Sequence, residues 1–98
     1  MIDLSDAEID YGRSLMVRAM TRAEKAMNKF PQPNYVLTKL GEEAGEAIKA
    51  GVHLAEGRDF TAQDLEDECI DTIAMCFRLL IEGDQVHGVP AVHKMEQS

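Results

Sequence analysis

The chain of 98 residues has the length of one small domain. Its 18 acidic and 10 basic residues give a net charge of −8, which argues against a general nucleic-acid binder because phosphate contacts need a basic surface. Hydrophobic residues form 45% of the chain and aromatic residues only 5%, so the apolar material is mostly aliphatic. This composition favours packed helices, and we expect one all-α domain over residues 1–98.

No targeting or membrane segment is predicted. The N-terminus is acidic and lacks the charged and apolar regions of a signal peptide, and no apolar run approaches the roughly 20 residues that span a bilayer. Cys69 and Cys76 lie in one predicted helix, roughly 10 Å apart, which is too far for a disulfide. We expect them to be small buried hydrophobes in a cytoplasmic protein.

Three helices are predicted, over about residues 6–29, 34–56 and 61–82, with a short tail at 84–98. Ser5 and Glu8 form a capping box for the first helix, which the prolines at 31 and 33 end. Asn34 is the predicted N-cap of the second helix, and Gly57 its left-handed C-terminal residue. Thr61 opens the third helix with another capping box.

The third helix is apolar around most of its circumference. Ala74, Met75 and Leu79 widen its apolar surface beyond a single stripe. With only two other long helices to cover it, we expect a second subunit to complete the antiparallel helical bundle.

Two pairs of carboxylates stand out. Glu43 and Glu46 lie one turn apart on the second helix, and Glu68 and Asp71 repeat this spacing on the third. A short connection makes the two helices antiparallel neighbours, so the pairs can converge beside the apolar faces. Their mutual repulsion would be relieved by a bound divalent cation.

Magnesium suits this set of ligands best, because it prefers hard oxygen ligands and is often shared between carboxylates and substrate phosphates. Manganese accepts the same oxygen ligands. The cysteine spacing does not suit zinc, and no Glu-x-x-His pair indicates a di-iron site. The acids could instead form a solvated face, with Lys39 paired to Glu43, and Arg78 paired to Asp71 or Glu82.

Two segments resemble a known family. Residues 39–47, KLGEEAGEA, resemble the first motif of the MazG-like all-α nucleoside triphosphate pyrophosphohydrolases, and residues 66–74, EDECIDTIA, resemble the second. The resemblance covers roughly residues 34–82. The second motif departs from many members in having Ile70 where they have Gly.

The resemblance implies Mg²⁺-dependent hydrolysis of a (d)NTP to the monophosphate and pyrophosphate by a homodimer or homotetramer. It implies as metal ligands Glu43, Glu46, Glu68 and Asp71. A carboxylate that is not fully engaged with metal, Glu42 or Glu43, is the predicted general base. Lys39 and Arg78 are predicted to contact phosphate, although an ion pair explains their positions equally well.

Two other functions stay open. One is a non-catalytic helical dimerisation or binding module, and the other is a related pyrophosphatase specialised for another nucleotide such as phosphoribosyl-ATP. The sequence does not determine base or sugar preference, the number of metal ions or the choice between dimer and tetramer.

Overall fold

The computed structural model describes residues 1–96, which contain four α-helices and no β-strand. The helices are α1 (Asp6–Lys29), α2 (Val36–Ala55), α3 (Ala62–Glu82) and a short α4 (Val92–Glu96). The all-α fold is confirmed, and the three long helices lie within two residues of their predicted bounds. α4 was not predicted, and residues 97 and 98 of the predicted tail lie outside the described residues. None of these helices combines the length and apolar character needed to cross a bilayer.

Local capping signals fix the starts of α1 and α3. The Ser5 hydroxyl accepts the N–H of Glu8 at 3.1 Å, and the Glu8 carboxylate accepts the N–H of Ser5 at 2.9 Å. Thr61 and Asp64 exchange the same two hydrogen bonds at 3.1 and 2.7 Å. Gly57 follows α2 with φ of 71°. Both capping boxes and the left-handed glycine are therefore confirmed.

The start of α2 is held by a residue from a distant part of the chain. The prediction that Asn34 caps this helix is wrong, because α2 begins at Val36 and the Asn34 amide donates to the carbonyl of Phe30 at 3.2 Å. Instead, Oδ2 of Asp84 accepts the N–H of Leu37 at 2.8 Å. Asp84 acts as an N-cap from 47 residues away, a partner that local spacing does not reveal.

Asp84 also fixes the segment between α3 and α4. Its buried carboxylate accepts the backbone N–H and the Nδ1–H of His87, both at 2.8 Å, and its backbone pairs with Val89. Gly83 has φ of 72°, and its backbone lies so close to Val89 that a Cβ would not fit. Burial alone raises the pKa of Asp84, but the hydrogen bonds from Leu37 and His87 lower it to about 2.

α2 and α3 run antiparallel. Leu37, near the start of α2, is bonded to Asp84, just beyond the end of α3. Near the other end of the pair, Gly51 lies against Leu65. This direction places the middle of α2 beside the middle of α3, where the two predicted acidic pairs lie.

α1 and α3 run parallel. At one end the Tyr11 hydroxyl donates to Glu66 at 2.6 Å, and beyond the other end the Gln32 amide donates to Glu82 at 3.1 Å. α3 therefore lies between α1 and α2, which do not pack against each other within residues 1–96.

The core lies mainly between α1 and α3. Ala19 and Ala23 of α1 have no exposed surface and allow α3 to approach closely. Ile70 is fully buried in this core. Ala74 and Met75 complete it, and partly buried apolar side chains pack around it: Leu15, Ala26, Leu40, Ile73 and Phe77.

Some apolar surface stays uncovered. Cys69 and Cys76 are both exposed and free, so the prediction that they are buried is wrong. The physical reason is that α1 and α2 cover only part of the circumference of α3. Exposed apolar side chains on the outer helices include Met16, Val17, Met20, Ile48 and Val52.

We expect Asp84→Asn to lower the Tm by about 5 °C or more at neutral pH, because a neutral amide is a weaker acceptor for the donors of Leu37 and His87. The pKa of Asp84 is lowered on folding, so its carboxylate stabilises the fold above about pH 4 and loses this effect as the pH falls towards 2. Thermal melts followed by circular dichroism should show the Tm difference shrinking over that range.

The matched control is Asp10→Asn, which removes the same charge from an exposed position of α1. An Asp84→Asn protein that melts with wild type at neutral pH would contradict the assigned role of Asp84.

Candidate metal centre

Three of the four predicted metal ligands converge between α2 and α3. Glu43 of α2 and Glu68 and Asp71 of α3 each offer one carboxylate oxygen, and these oxygens all lie within 4.8 Å of one another. The three side chains are half-buried. The antiparallel packing of α2 and α3 creates this group, and its oxygens are of the type that Mg²⁺ prefers.

Glu46, the fourth predicted ligand, lies outside this three-residue group. It is exposed, one turn beyond Glu43 on α2. Its negative charge nevertheless contributes to the raised pKa of Glu68. Its role as a ligand stays a prediction.

Ionisation is disfavoured at two of the three carboxylates, those of Glu43 and Glu68. Burial is the main reason that the pKa of Glu43 is raised, and the charges of Asp71 and Glu68 raise it further. Burial and then the charge of Asp71 raise the pKa of Glu68 in the same way. A divalent cation among these oxygens would reverse the effect of the like charges, so the donor set fits a hard cation.

Arg22 of α1 contacts the group, and the sequence analysis missed it. Its Nη1 donates to Oδ1 of Asp71 and to the carbonyl of Asp67, both at 2.9 Å. Its Nη2 donates to Oδ1 of Asp67 at 3.0 Å. The available signal was that Arg22 sits one turn after Arg18, beside the buried alanine face of α1. The parallel register that brings it to Asp71 cannot be read from that spacing.

The predicted base Glu42 and the predicted phosphate contact Lys39 form an ion pair with each other. Lys39 Nζ lies 3.7 Å from Oε2 of Glu42, and both side chains are exposed. The alternative pairing of Lys39 with Glu43 is therefore not the one adopted, although the Lys39 charge does act to lower the pKa of Glu43. Glu42 lies outside the three-residue group.

Arg78, the other predicted phosphate contact, is only 2% exposed. It donates to the carboxylate of Glu82 and to the carbonyl of Phe30, and its Nη1 lies 3.5 Å from the carbonyl of Ala26. Of the alternative ion pairs, the one with Glu82 is formed. Because the guanidinium also binds carbonyls at the end of α1, Arg78 joins α1 to α3.

A cavity of about 290 Å³ adjoins the carboxylates, because Glu43 lines it as well. It lies between the end of α1, the start of α2 and the second half of α3. Lys39 and Arg78 line it together with aromatic, amide and apolar side chains: Phe30, Tyr35, Asn34, Ala26 and Met75. Positive, aromatic and acidic groups thus share one recess, a combination typical of a ligand site.

We expect Glu43→Gln to raise the Tm at neutral pH when EDTA is present, because it removes a carboxylate whose charge is disfavoured by burial and by its neighbours. The pKa of Glu43 is raised on folding, so this cost of its charge is absent in acid and appears as the pH rises through that raised value. With excess MgCl₂ the order should reverse, since wild type keeps all its ligands and gains more from the cation. Differential scanning fluorimetry in both buffers measures this.

Glu42→Gln is the matched control, because it changes the neighbouring carboxylate outside the three-residue group. If Glu43→Gln were less stable than wild type in EDTA, the assigned cost of the Glu43 charge would be wrong.

Comparisons with protein-family models, curated proteins and solved structures give no match to this chain. Its function is therefore inferred from its own residues and their arrangement.

Proposed function

We propose that the chain is a Mg²⁺-dependent nucleoside triphosphate pyrophosphohydrolase that converts a (d)NTP to the (d)NMP and pyrophosphate. The observation that carries this proposal is the convergence of Glu43, Glu68 and Asp71 at the edge of a cavity that also holds Lys39. Three carboxylates alone indicate only a cation site. The adjoining cavity, and the resemblance of residues 39–47 and 66–74 to the motifs of the MazG-like enzymes, favour a nucleotide.

The proposed metal ligands are Glu43, Glu68 and Asp71, with Glu46 as a further ligand from the next turn of α2. Magnesium is the proposed ion and manganese a substitute, because both accept carboxylate oxygens. Such an ion neutralises phosphate charge and lowers the pKa of a bound water.

The cavity suggests how a nucleotide lies. Its acidic edge, at Glu43, would receive the triphosphate together with its cation, and Lys39, which lines the same cavity, would contact the phosphates. Phe30 and Tyr35, which also line the cavity, offer aromatic surface for the nucleoside. Arg78 supports this wall through Phe30, since most of its donors are engaged within the protein.

In the proposed reaction, a water molecule attacks the α-phosphorus and the α–β anhydride bond breaks, releasing pyrophosphate. The water proton passes to a carboxylate, and the two candidates are Glu43 and Glu42. Glu43 is favoured by its place in the three-residue group, because a base must contact the attacking water. Glu42 is engaged with Lys39.

Oligomerisation is part of the proposal. A homodimer or homotetramer would cover the apolar side chains that stay exposed on the outer helices, such as Val17 of α1 and Ile48 of α2. The exposed free thiols of Cys69 and Cys76 are compatible with a reducing cytoplasm as its location.

The deciding experiment measures pyrophosphate release from a panel of dNTPs and NTPs, and from phosphoribosyl-ATP, with Mg²⁺ and with EDTA. We expect Mg²⁺-dependent release from at least one of them. Release from phosphoribosyl-ATP alone would favour the specialised pyrophosphatase. No turnover, together with no thermal stabilisation by Mg²⁺ and a non-hydrolysable analogue, would favour a non-catalytic module.

We expect Glu68→Gln and Asp71→Asn each to reduce kcat by more than about 100-fold, because each removes an anionic ligand from the cation site. Circular dichroism should show unchanged helicity. The control is Glu56→Gln, which removes an exposed carboxylate paired with Arg58 and should keep wild-type turnover. Mg²⁺-dependent turnover close to wild type in Asp71→Asn would rule out this ligand assignment.

A further inference from the structure

Arg22 connects α1 to the candidate metal ligands. Its guanidinium makes three hydrogen bonds to α3, two to Asp67 and one to Oδ1 of Asp71. Of these two acids, only Asp71 belongs to the three-carboxylate group. Within residues 1–96 the side-chain hydrogen bond to Asp71 goes to Oδ1 and none goes to Oδ2, so one oxygen of this carboxylate is held and the other is available to a cation.

The geometry indicates that Arg22 orients the carboxylate of Asp71 and does more than neutralise its charge. A planar guanidinium that makes three hydrogen bonds has little freedom to rotate. The side chain of Asp71, which accepts one of these bonds, is therefore also restricted in its rotation. Burial disfavours the charged form of Arg22, but the hydrogen bonds that it donates to Asp67 and Asp71 raise its pKa, so it stays cationic. Its charge also acts to lower the raised pKa of Glu68, so Arg22 reduces repulsion within the group.

A neighbouring arginine provides the comparison. Arg18, one turn earlier on α1, donates to Glu66 at 2.7 Å, and its side chain is exposed to a similar extent, 38% against 35% for Arg22. Both arginines therefore tie α1 to α3. Glu66, however, lies outside the three-carboxylate group.

We propose that Arg22 is a positioning residue of the metal site, holding Oδ1 of Asp71 so that the remaining oxygen faces the cation together with Glu43 and Glu68. This inference rests on the proposed function, because it needs the carboxylates to bind a divalent ion. Groups that orient metal ligands from behind typically change metal affinity 10–100-fold when removed. Two other roles make different predictions. If Arg22 only joins the two helices, its replacement should change stability and leave metal affinity unchanged. If Arg22 competes with the cation for Asp71, its replacement should strengthen metal binding.

The test is Mn²⁺ binding to the full chain without nucleotide, measured by electron paramagnetic resonance of free Mn²⁺ for wild type, Arg22→Met, Arg22→Lys and Arg18→Met. We expect Arg22→Met to weaken Mn²⁺ binding by about 10-fold or more, and Arg18→Met to change it by less than about 2-fold. Arg22→Lys should fall between wild type and Arg22→Met, because an ammonium keeps the charge but lacks the planar fork.

The remaining outcomes each decide the question. Equal Mn²⁺ affinity in Arg22→Met and Arg18→Met would overturn the positioning role and leave the metal site standing. Tighter binding in Arg22→Met would overturn it in favour of competition. If Arg22→Met does not fold, Arg22→Lys decides, and wild-type affinity in that variant would overturn the role. No Mn²⁺ binding by wild type would overturn the metal site and this inference together.

Discussion

The position of α3 between α1 and α2 is the constraint on which the rest of the structure depends. Its buried face, with Ile70 and Ala74, forms the core with the small alanines of α1. Glu68 and Asp71 lie on the same helix and meet Glu43 of α2. The core packing therefore fixes the carboxylates as well, because a rotation or shift of α3 that separated the charges would also expose Ile70.

Polar side chains reinforce this arrangement. Arg22 links the middle of α1 to Asp71, and Arg78 of α3 donates to the carbonyl of Phe30 at the end of α1. Asp84 joins the segment after α3 to the start of α2. Each of these contacts joins residues that are far apart in sequence. Together they tie α1 to α3, and α2 to the segment that follows α3.

In the candidate site, carboxylates repel one another and a nearby arginine offsets part of their negative charge. Burial and like charge raise the pKa of Glu43 and Glu68, while the guanidinium of Arg22 opposes that effect at Glu68. One arginine with three hydrogen bonds to α3 offsets only part of the charge of three carboxylates. The excess negative charge beside a cavity with Lys39 and aromatic walls is the physical basis for proposing a divalent cation and a nucleotide.

The sequence by itself determined the elements whose signals are local. Apolar periodicity, the capping boxes at Ser5 and Thr61 and the glycine at 57 predicted three helices nearly to their observed bounds, and carboxylate spacing with a short connection predicted the α2–α3 pairing. Tertiary structure alone decided the contacts between distant residues. It replaced Asn34 with Asp84 as the cap of α2, exposed both cysteines, and brought Arg22 to Asp71. The reason is that spacing along a helix shows which residues share a face, whereas register and direction between helices depend on how whole faces pack.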